Sequence, residues 1–261
     1  MKSSQKGPFQ HQNVRQFFAF SAMLSVLVLL LACNKPNAPD CFQRAGDDGS
    51  EWRWLVGNPT EILMDDRIDV RLVPSEENKV LVEGPENLIN EIETSLDGEG
   101  VLTIEDLNTC NLVRKPNPGY SVTVYAKPQA IRSIGSGDLT FSDTLHVDHF
   151  SLNCENSTGQ MNCLLNADSV FVSVVEGVSD VILRGSCRQL DAFHQGINLF
   201  DASGLYSTSV ALNSNSINDM HVRAEEYFFV AIDNQGFVYY QGEPDEISLY
   251  ITGTGQLINN N

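Results

Sequence analysis

IRSIGSGDLTFSDTLHVDHFSLNCENSTG, residues 131–159, sets the pattern for the second half of the chain. It enters a corner at Gly135-Ser136-Gly137-Asp138 and leaves through an alternating strand with Leu139 and Phe141 on one side. A second alternation, Phe150/Leu152/Cys154, leads to the next corner, Asn156-Ser157-Thr158-Gly159. Glycine, serine and asparagine make turns without steric cost, and period-two apolar spacing makes half-buried strands. Corners of the same kind recur at Glu176-Gly177-Val178-Ser179, His194-Gln195-Gly196-Ile197, Asn213-Ser214-Asn215-Ser216, Asp233-Asn234-Gln235-Gly236 and Thr252-Gly253-Thr254-Gly255. Counted from Gly135, their first residues are 21, 20, 18, 19, 20 and 19 apart.

One such unit cannot bury its own apolar face, so like residues must stack on like residues in successive turns of the chain. The spacing therefore predicts an all-β fold, a right-handed β-solenoid with coils of about 20 residues, about six or seven of them between Ile131 and Ile258. An antiparallel sandwich also has regularly spaced strands, but the near-constant period and fixed corner position favour the solenoid. No long helical pattern alternates with the strands, which excludes parallel sheets built from βαβ units.

The stretch 51–128 reads as an N-terminal β section of the same domain, which spans 51–258. Its strand runs are Ile68–Leu72, Val80–Val82, Val101–Ile104 and Ser121–Tyr125, parted by Gly84-Pro85, Asp97-Gly98 and Asn117-Pro118-Gly119. Only Pro85–Thr94 has helical spacing, and it predicts a short surface helix.

Residues 1–32 read as a lipoprotein signal peptide. Lys2, Lys6 and Arg15 form a basic start, an apolar run follows from Phe17 to Leu31, and Leu30-Leu31-Ala32-Cys33 resembles a lipobox. Cys33 is then the lipidated residue, and residues 33–50, rich in Pro, Asn, Asp and Gly, form a tether. Lipidation attaches a protein to a membrane without crossing it. The expected location is the cell envelope, as an outer-membrane lipoprotein facing the periplasm or the surface.

Removing those three basic residues leaves 13 Lys and Arg against 34 Asp and Glu, a net charge of −21 on the chain from Cys33. Such a surface repels phosphate backbones, so nucleic acid is excluded as a partner. Five cysteines follow Cys33, an odd number, so at least one thiol stays free within the chain. Cys41 and Cys110, in polar turn-rich surroundings, are the candidate disulfide, while Cys154 and Cys163 lie on apolar strand faces as small hydrophobes. No Cys/His spacing suggests zinc, and no metal or cofactor is expected.

The stretch Ile131–Ile258 resembles the auto-transporter adhesin head GIN domain, a family of exported bacterial domains. The likeness rests on Ile134-Gly135-Ser136-Gly137-Asp138, on Ile197-Asn198-Leu199-Phe200-Asp201-Ala202-Ser203-Gly204-Leu205, and on Gly236-Phe237-Val238-Tyr239-Tyr240-Gln241-Gly242-Glu243-Pro244 with Gly253-Thr254-Gly255 after it. Ile68-Asp69-Val70 and Val80–Gly84 extend it into the N-terminal section. The resemblance implies a β-helix-like fold and a cell-surface adhesive role, and brings no catalytic or ligand residue.

Two kinds of site are open. Asp138, Asp180 and Asp219 follow corners in alternate coils, so a carbohydrate-active β-helix enzyme acting on a neutral glycan would use their carboxylates. Aspartate is also ordinary turn chemistry, hydrogen-bonding nearby amides, and that reading is favoured. His146 and His149 flank a turn, His194 sits at a corner and His221 falls in a strand, with no triad order among them. Trp52, Trp54, Tyr239 and Tyr240 form a candidate stacking platform for a sugar or a protein; alternatively the tryptophans cap the solenoid end. The expected function is thus a lipid-anchored envelope protein with a non-catalytic binding surface; the other readings are the enzyme and a structural envelope component.

Overall fold

A computed structural model describes residues 44–108 and 119–261. The leader, Cys33, Cys41 and Cys110 lie outside the described residues. One sheet system of 17 strands contains the whole described chain. In chain order the strands are β1 (Asp48–Trp54), β2 (Glu61–Met64), β3 (Asp69–Val73), β4 (Lys79–Pro85), β5 (Ile92–Leu96), β6 (Val101–Asp106), β7 (Ser121–Tyr125), β8 (Ala130–Ser133) and β9 (Leu139–Phe141). They continue as β10 (Leu145–Glu155), β11 (Gln160–Gly177), β12 (Asp180–Gly196), β13 (Phe200–Ser214), β14 (Met220–Ile232), β15 (Val238–Gln241), β16 (Glu246–Ile251) and β17 (Leu257–Asn259).

From β10 onward every pairing is parallel, and partners lie about one coil apart in sequence. Leu139, Met161, Val181, Phe200, Met220, Val238 and Leu257 stack in one inward column. Ile131, Leu152, Val172, Ala192, Leu212, Val230 and Leu249 stack in the facing one. The result is a β-solenoid of about six turns with coils of about 20 residues. Parallel pairing requires a crossover between partners, and here the other half of each coil supplies it. That rules out the antiparallel sandwich.

Close stacking fixes two glycines. At Gly137 a Cβ would lie 1.9 Å from the Ile68 carbonyl oxygen of the neighbouring coil. At Gly185, where β12 bends between its two halves, φ is +114° and a Cβ would meet the Leu165 oxygen at 2.0 Å. No side chain fits either place.

The N-terminal section enters the stack out of order. β2 and β3 pair with β8 and β9, so that Ile62 meets Ile131 and Val70 meets Leu139. On their other side they pair with β6 and β7, which form the terminal coil. That end is then closed by antiparallel strands, β4 on β7, β1 on β4 and β5 on β6. β1 also takes in residues 48–50, which the sequence reading gives to the tether. The helix expected over Pro85–Thr94 is absent: a single 3-10 turn, Ile89–Glu91, is followed directly by β5. Leu88, Ile89 and Ile92 do point inward as helical spacing predicts, but pairing with β6 draws the chain into a strand.

The opposite end has no such cover among the described residues. Ile247, Leu249 and Ile251 continue the inward columns of Phe228, Val230 and Ile232, yet they are 40 %, 44 % and 45 % exposed.

Candidate functional site

The corner aspartates hold coils together. Asp138 accepts the Gln160 amide at 2.8 Å, Asp180 the Leu199 amide at 2.9 Å and Asp219 the Phe237 amide at 2.9 Å. Asp69 does the same for the amide of Asp138, at 3.0 Å. Each carboxylate reaches the next coil rather than its own corner, which differs in detail from ordinary turn chemistry. Each thereby satisfies an amide that the corner leaves outside the strand ladder.

The histidines divide. His146 and His149, expected beside a turn, both lie within β10, and His149 Nδ1 sits 2.7 Å from Ser169 Oγ. His221 projects outward between the buried Met220 and Val222, as its alternation implies. His194 is a correction: it lies in β12 with its side chain wholly inside the solenoid, edge-on to Phe200 at 5.6 Å. It stacks between Val174 and Ser214, and neither ring nitrogen makes a hydrogen bond of normal geometry. Burial drives its pKa down to about 4, opposed in part by the neighbouring Asn198 amide. Cys154, Cys163 and Cys187 are free and buried. Burial pushes the Cys154 thiol up to about 12 and raises the other two. These thiols are inert core groups rather than nucleophiles.

Trp52 and Trp54 come together on the outer face of β1, 48 % and 70 % exposed. In register, Trp54 faces Lys79 and Lys79 faces Tyr125, across three adjacent strands. The Lys79 ammonium lies 4.6 Å from the Trp52 ring centre, 5.5 Å from Trp54 and 4.9 Å from Tyr125. Glu77 pairs with that ammonium, and Trp52 packs on Tyr125 at 5.5 Å between ring centres. Cation–π attraction thus holds the rings upright around a fixed charge while their outer surfaces stay open. Lys79 and Tyr125 belong to this patch although sequence reasoning did not name them. Their only signal was an outward position in alternating strands, and strand register is not written in either run.

Tyr239 and Tyr240 are elsewhere. They lie on β15, nine strand steps from β1, or about 43 Å at the usual strand spacing. Tyr240 packs on the core phenylalanine Phe228, whereas Tyr239 stacks on His221 at 5.0 Å with rings 12° apart. With Asp201, Ser203 and Gln241, Tyr239 and His221 border a hollow of about 280 Å³ that Tyr240 does not line. Burial disfavours the Asp201 charge, but hydrogen bonds from Ser203 and the Arg184 guanidinium outweigh it and hold the carboxyl below its usual range. The Ser203 hydroxyl donates to Asp201 at 2.6 Å, so it is not set against His221 as a nucleophile is set against its base. Among the described residues no group of His, Cys, Asp or Glu could hold a metal ion.

A second concavity runs along the corners. It is an open groove of about 670 Å³ bordered by five successive corners, from Asn156 and Thr158 to Asn234. Asn156, Glu176, Gln195 and Asn215 edge it in consecutive coils, beside a strip of Val178, Ile197 and Ile217.

Parallel coils stacked at a constant interval, with a groove along their corners, define the molecule as a β-solenoid. A family model described as "Putative auto-transporter adhesin, head GIN domain" matches residues 58–244, and the chain belongs to that family. A crystal structure of a putative adhesin from Bacteroides fragilis is similar, with a TM-score of 0.74 and 18% identity, over 83% of this chain and 99% of the other. A putative adhesin from Parabacteroides distasonis matches with a TM-score of 0.64 and 19% identity, over 83% and 99%. A protein from the same species described as a putative lipid binding protein has a TM-score of 0.63 and 18% identity, over 84% and 100%. At these identities the likeness is one of fold. Among curated proteins none matches this chain.

Proposed function

We propose that this protein is a lipid-anchored adhesive module of the bacterial cell envelope, held at an outer membrane through Cys33. Its non-catalytic surface takes a carbohydrate or a protein partner through Trp52 and Trp54. The carrying observation is the exposure of both rings on one strand face around Lys79. Large aromatic faces left in water on a rigid sheet mark contact surfaces, and sugar rings stack on them through their apolar faces. The adhesin descriptions of the family and its structural neighbours support the same reading.

The test is unusually direct, because these are the only two tryptophans in the chain. A glycan array identifies the ligand, and its titration is followed by intrinsic fluorescence with reducing-sugar release assayed in parallel. A shifted tryptophan emission without sugar release is expected. Binding that leaves the emission unchanged removes the platform from the account, and release of reducing sugar replaces adhesion with hydrolysis. Incorporation of labelled fatty acid, lost in Cys33→Ala, tests the anchor.

A further inference from the structure

Polar side chains at the corners fall into two sets. One set bonds coil to coil: Ser157 with Ser179, Ser216 to the Gly196 oxygen, and Asn198 and Asn218 to carbonyls of the preceding corner. In the other set, Asn156, Thr158, Glu176 and Gln195 make no side-chain hydrogen bond among the described residues, and all four are exposed. This second set borders the groove, where Asn215 and Asn234 join it through a weak mutual bond at 3.4 Å, and the Asn234 oxygen also accepts the Gln235 amide at 2.9 Å.

Backbone geometry points the same way. Asn156 and Glu176 hold left-handed φ angles of +51° and +54°. Asparagine tolerates that region, but glutamate does so at a steric cost, and its side chain gives no coil-to-coil bond in return. Beside these groups Val178, Ile197 and Ile217 stand 44 %, 57 % and 51 % exposed in consecutive coils. An apolar strip two coil steps long, about 10 Å, therefore runs beside a polar row of four amides and the Glu176 carboxylate that extends over four coil steps, about 19 Å.

We propose that this corner groove is a second binding site, for an uncharged linear glycan lying parallel to the solenoid axis. Amides carry both donors and acceptors, as sugar hydroxyls do, and the aliphatic strip suits the apolar face of the rings. Charge decides against a polyanion on a chain with net charge −18, and Glu176, the only ionisable group bordering the groove among the described residues, gives a polycation a single partner there. Backbone decides against an added peptide strand. Corner amides are engaged along the axis, as Val178 to Ser157 at 2.9 Å and Asn156 to Val175 at 3.1 Å, so no strand edge faces the groove.

Calorimetry on the full chain in detergent tests this with cello-, xylo- and mannohexaose and their disaccharides. At least one hexasaccharide is expected to bind at least tenfold more tightly than its disaccharide, because only the longer chain spans the groove. Ile197→Glu, at an exposed position, is expected to weaken that binding at least tenfold with an unchanged Tm, and Gln195→Ala with Asn215→Ala to weaken it similarly. Trp52→Ala with Trp54→Ala is expected to leave it intact, which separates the groove from the platform. Silence with all three hexasaccharides overturns the proposal, as does hexasaccharide binding that Ile197→Glu leaves unchanged or that the tryptophan pair abolishes.

Discussion

His194 makes this fold sensitive to acid. Above its unfolded pKa of about 6.5 the imidazole is neutral in both states and stability does not depend on it. Below 6.5 the unfolded chain takes up the proton first, while the buried ring resists until about pH 4. Stability therefore falls across that window, by about 3 kcal/mol in all. Chemical denaturation at pH 7 and pH 4.5 measures the loss, and His194→Val, matching Val174 in the same column, is expected to remove most of it. Gly185 carries a different kind of constraint. Gly185→Ala places a methyl against the Leu165 oxygen at positive φ and is expected to destabilise by at least about 2 kcal/mol in the same assay.

At the scale of the element, the corner is the working unit. Asp180 ties its corner to the next through the Leu199 amide. Asp180→Ala is expected to cost about 1 kcal/mol in unfolding experiments and to leave ligand binding unaltered, since its carboxylate faces the coil stack. Loss of glycan binding with normal stability would instead return the corner aspartates to the site. The corner spacing was legible from glycine and asparagine positions alone. What the corners do was only half legible. Asp138, Asp180 and Asp219 read as turn residues, but their amide partners lie 22, 19 and 18 residues away, where only the coil stacking places them.

For the whole molecule, the two ends differ. Antiparallel strands cover the N-terminal end, and β16 and β17 finish the other with inward residues in partial contact with water. Truncation should register that asymmetry. Leu212→Ala, wholly buried in mid-stack, is expected to cost about 2–5 kcal/mol, and Leu249→Ala in the same column less than about 1.5 kcal/mol. Equal losses, measured by thermal unfolding, would mean that the C-terminal end is covered in solution.

The sequence by itself determined the period, the inward columns and the family, because each depends on local alternation and turn chemistry repeated at a constant interval, whereas the two short strands expected in each coil are one long strand in β11 to β14. Tertiary structure alone decided which separate stretches meet. β2 and β3 join strands 69 residues later in sequence, with the terminal coil and its cap entering between them, so the N-terminal stacking order could not be read as a repeat. The same holds for the surfaces. Trp52 and Trp54 were visible as a pair, but Lys79 and Tyr125 reached them through cross-strand register, and Tyr239 and Tyr240 were carried to a distant strand. Alternation fixes which face a side chain takes, whereas its neighbours on that face depend on pairing, which only packing of the complete chain selects.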